Sequence, residues 1–85
     1  MDLINIICEG TMKATVLIAQ SKNLTINTDH VIAAMKEVVK AGYAELQGEL
    51  KDALDARMGE PMYKMILNVG CNKFAVDTLK ACNYL

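Results

Sequence analysis

The sequence predicts an all-α protein, a three-helix bundle-like domain with a long central helix, the domain being completed by oligomerisation. Three observations point there. Residues 28 to 58 place Ile32, Met35, Val39, Tyr43, Leu46, Leu50 and Leu54 at steps of three and four, which draws one apolar stripe along a helix. The apolar share is 53% with only 5% aromatic, a set of Ile, Leu, Val, Met and Ala suited to helix-on-helix packing. Turn signals at KNLTIN (22 to 27) and Gly59-Glu60-Pro61 divide the chain into three segments.

The first helix is expected over residues 2 to 21, with Leu3, Ile7, Ala14, Leu17 and Ile18 on one face and Ile4 and Cys8 widening it. Ile6 and Val16 fall off that face, as in a helix with neighbours on two sides. Gly10-Thr11 is its weak point, and β-branched Ile4, Ile6 and Ile7 also permit a strand over residues 3 to 8. The KNLTIN connection then folds this helix back along the central one.

The central helix, residues 28 to 58, would be about 45 Å long. Asn27 or Thr28 caps it, Asp29 meets the positive end of its dipole, and Gly59 with Pro61 stops it. Gly42 and Gly48 each cost about 1 kcal/mol against Ala in a helix interior, so each marks either a break or a place where a neighbour comes close. The last helix, residues 61 to 83, opens on Pro61. Its polar stripe of Lys64, Asn68, Asn72, Asp77 and Lys80 is narrow, which predicts the most buried helix, in the monomer or between copies. Val39 and Val69 are taken as core residues and Lys51 as solvated.

One domain, 1 to 85, accounts for a chain of this length. It is more apolar than a lone domain of its size usually hides. A net charge of −1 and a pI near 5.7 give no general attraction to nucleic acid. The longest uncharged runs fall short of the roughly 18 residues of a bilayer span, and Asp2 stands where a signal peptide carries basic residues. Three unpaired cysteines fit a reducing compartment, so the expected setting is intracellular and soluble, with no membrane partner.

No residue pattern carries catalysis, a cofactor or a metal. His30 has no ionisable neighbour at helix spacing and is expected exposed in a first turn. Cys8, Cys71, Cys82 and His30 lack the close pairing of zinc ligands and read as core cysteines. Met35, Met58, Met62 and Met65 are expected as gap-filling core, with an adaptable binding surface as the alternative. Glu45, Glu49, Asp52 and Asp55 read as a solvated face.

Residues 12 to 36, MKATVLIAQSKNLTINTDHVIAAMK, are similar in rhythm to the second half of the histone fold. Ala14, Ala19, Lys22, Thr25, Val31, Ala34 and Lys36 carry the similarity: a helix end, a Thr-containing loop, and a helix opening on an acidic residue. The resemblance implies handshake dimers and DNA contact through loop positions Lys22, Asn23, Thr25 and Asn27. The chain departs from that family in having no first helix and loop before residue 2 and a far longer helix after the loop.

The resulting expectation is a non-catalytic assembly subunit that self-associates or binds a helical protein partner through Ile6, Val16, Met62, Met65, Ile66, Val69 and Phe74. A small histone-like or architectural DNA-binding protein is the alternative.

Overall fold

The stripe on the central segment belongs to one unbroken helix. In the computed structural model, which describes residues 2–85, α1 spans Leu3–Ser21, α2 spans Thr28–Asp55 and α3 spans Glu60–Ala81. Residues 3 to 8 are helical, and there is no strand among the described residues. α2 passes through Gly42 and Gly48 without interruption. Its 28 residues rise about 42 Å at 1.5 Å each, which matches the 41 Å long axis of the molecule.

Local chemistry sets the helix ends. The Asn27 side chain accepts the His30 backbone N–H at 3.1 Å, satisfying one of the donors that open α2. All three helices close in the same way. Asn23, Arg57 and Asn83 take left-handed φ values of 55, 56 and 64°. The next N–H then reaches back five residues: Leu24 to the Ala19 carbonyl, Met58 to Ala53, Tyr84 to Leu79. This is the Schellman closure. It ends α2 at Asp55, ahead of the expected Met58, because Arg57 rather than Gly59 supplies the left-handed residue. Gly59 instead caps α3 with extended backbone, and Pro61 sits in its first turn.

Two short connections reverse the chain twice, so α1 and α3 run parallel and α2 runs against both. α3 packs along both neighbours, whereas α1 and α2 touch much less. Small residues make the close crossings. A Cβ on Gly10 would meet the Cys71 Sγ at 2.8 Å, one on Gly42 the Phe74 Cζ at 2.9 Å, and one on Gly70 the Leu46 Cδ1 at 2.7 Å. The core joins Ile7, Met35, Val39, Leu46, Leu50, Cys71 and Phe74.

Several sequence expectations are corrected by helical phase. The buried face of α2 runs Val31, Met35, Val39, Leu46, Leu50, Ala53, so its ends turn inward at Val31 and Ala53, leaving Leu54 60% exposed. α1 turns Ile7, Thr11, Ala14, Thr15 and Ala19 inward and leaves Leu17 64% exposed. Thr15 can be buried because its hydroxyl donates to the Thr11 carbonyl at 2.7 Å. Thr78 does the same to Phe74 at 2.7 Å. α3 is buried mainly in its second half, through Cys71, Phe74, Ala75, Thr78 and Leu79. Val39 is 1% exposed, but Val69 is 63% exposed and lies outside the core. Met35 fills the core as expected, whereas Met58, Met62 and Met65 are exposed. Lys51 is exposed.

A candidate assembly surface

The bundle has two unlike ends. Around the 22–27 connection, Ala19, Val31, Leu79 and Cys82 are buried. The Asn27 N–H donates to Tyr84 Oη at 2.8 Å, and the Cys82 thiol donates to the His30 carbonyl at 3.9 Å, so the C-terminal tail docks onto the start of α2.

The opposite half holds the start of α1, the turn from α2 to α3 and the first half of α3. Nine large apolar side chains are exposed among the described residues. Seven of them lie here: Ile4, Ile6, Leu54, Met58, Met62, Met65 and Val69. Leu54, Met58, Tyr63 and Leu67 line an open groove beside the turn. At its rim Lys64 pairs with Glu60 at 3.1 Å, an exposed i,i+4 ion pair that adds little stability.

Of the residues singled out from the sequence, Ile6, Met62, Met65 and Val69 are exposed and Val16 and Ile66 half-buried. Phe74 lies inside the monomer at 6% exposure, against Gly42, and has little surface to offer a partner. Met62, Met65, Val69 and Val76 fall within about 60° of one another around α3. That places them opposite Cys71, Ala75 and Thr78, which face inward.

The loop residues Lys22, Asn23, Thr25 and Asn27 are all exposed. Two already have structural tasks: Asn23 closes α1, and Asn27 caps α2 and bonds Tyr84. His30 is exposed in the first turn of α2. The cysteines divide between the two halves. Cys71 and half-buried Cys8 are near enough to couple electrostatically, while Cys82 sits beside His30. Burial pushes the Cys71 thiol above its ordinary pKa, with Thr11 lowering it and Cys8 raising it. The thiol donates to the Ile7 carbonyl at 3.6 Å. The Thr11 hydroxyl, buried beside it, makes no hydrogen bond of normal geometry. No three His, Cys, Asp or Glu side chains converge on a metal-sized site among the described residues.

Sequence reasoning missed one feature, an open groove between α2 and α3. Gly42, Leu46, Gly70 and Phe74 form its floor, and Glu45, Glu49, Lys73 and Asp77 stand around it. Its signal was present in Gly42 and Gly70, glycines inside strongly helical segments. α1 also differs from expectation in one respect. By length and composition it is apolar enough to cross a bilayer, although Glu9 and Lys13 interrupt it and its inner face is packed in the bundle.

Comparison with protein-family models, with curated proteins and with solved structures finds no match to this chain.

Proposed function

We propose that this chain is a non-catalytic assembly subunit that works by burying apolar surface against another copy or a protein partner. The observation that supports it is the one-sided distribution of exposed apolar side chains. Scattered singly they would be ordinary, but Met62, Met65 and Val69 share the outer face of α3, the kind of grouping that marks an interaction surface.

Sedimentation equilibrium across the micromolar range, with and without candidate partners, tests the reading. A mass above 9.3 kDa that rises with concentration is expected. A 9.3 kDa species at every concentration, binding no hydrophobic dye, would overturn it.

A further inference from the structure

We draw no further inference here: the strongest candidate, the open groove between α2 and α3 with Gly42, Leu46, Gly70 and Phe74 on its floor, carries charges of both signs on its rim in Glu45, Glu49, Lys73 and Asp77, and nothing in the structure shows what covers it.

Discussion

Gly42 and Gly48 lie on the same helix, six residues apart, and replacing each by Ala should shift stability in opposite directions. Gly48 has no atom within 4 Å of an added Cβ, so Gly48→Ala gains the full helix preference of about 1 kcal/mol. For a domain of this size that is a rise of about 4–8 °C in Tm. Gly42→Ala gains the same preference but drives a methyl into the Phe74 ring, 2.9 Å from its Cζ. The ring is buried between helices, and overpacking such a site costs about 1–3 kcal/mol. The net change for Gly42→Ala is then a loss of up to about 2 kcal/mol. The two variants should differ by about 2 kcal/mol, or roughly 10 °C. Thermal melts followed by circular dichroism at one fixed chain concentration measure this, since self-association moves Tm by mass action. Equal stabilisation by both substitutions would refute the placement of Phe74 against α2. A destabilising Gly48→Ala would show that this exposed face is covered in the assembled protein.

Arg57→Gly should stabilise by about 0.5–1 kcal/mol, because Arg57 holds a left-handed φ of 56° that penalises every side chain with a Cβ; urea melts read the gain. Val39→Ala should lose about 2 kcal/mol from a core site that is 1% exposed, whereas Val69→Ala, measured under monomeric conditions, should stay within about 0.5 kcal/mol. Burial holds the Cys71 pKa above its ordinary 9.0, so the unfolded chain gives up that proton first. The contribution to stability is complete below pH 9 and is lost as pH rises through the folded pKa, and Cys71→Ala should flatten this alkaline decline in urea melts between pH 8 and pH 10. In gel shifts with random duplex at low and moderate salt, no micromolar binding is expected from an acidic chain; salt-sensitive binding lost on Lys22→Ala would favour the DNA-binding alternative instead.

The number of helices and their rough bounds were legible because strong signals repeat: the stripe on α2, the KNLTIN connection and Pro61. The inner face of α1 was harder to read. It buries Thr11, Thr15, Ala14 and Ala19, residues that no hydrophobic pattern ranks above Leu17. What selects them is the closeness of α3, a distance that appears only once Gly10 faces Cys71. The same limit applied to α2, where Val31 and Ala53 displaced Ile32 and Leu54 from the inner face. A stripe read in steps of three and four fixes a face to within about half a turn of the helix wheel, and neighbours decide the rest. The exposure of Met62, Met65 and Val69 was only partly legible. They stood among the expected contact residues because α3 is apolar around most of its circumference, yet Met62 and Met65 also read as gap-filling core and Val69 as a core residue, since pattern alone does not say which side α1 and α2 occupy. Phe74 was not separable from them by pattern, because its inward placement depends on the absence of a side chain at Gly42.

That dependence ties the two halves of the molecule together. Gly42 and Gly70 let α2 and α3 approach so closely that Phe74 and Leu46 fill the space between them, and this crossing holds the inward face of α3 against its own chain. With that face committed, the helix cannot rotate to hide Met62, Met65 and Val69 without withdrawing Phe74, Cys71 and Leu79 from the core. Withdrawing even one such large buried side chain costs about as much as truncating it, roughly 2–5 kcal/mol, a large part of what a domain of this size has. The exposure of Met62, Met65 and Val69 is therefore a fixed consequence of the glycine crossing.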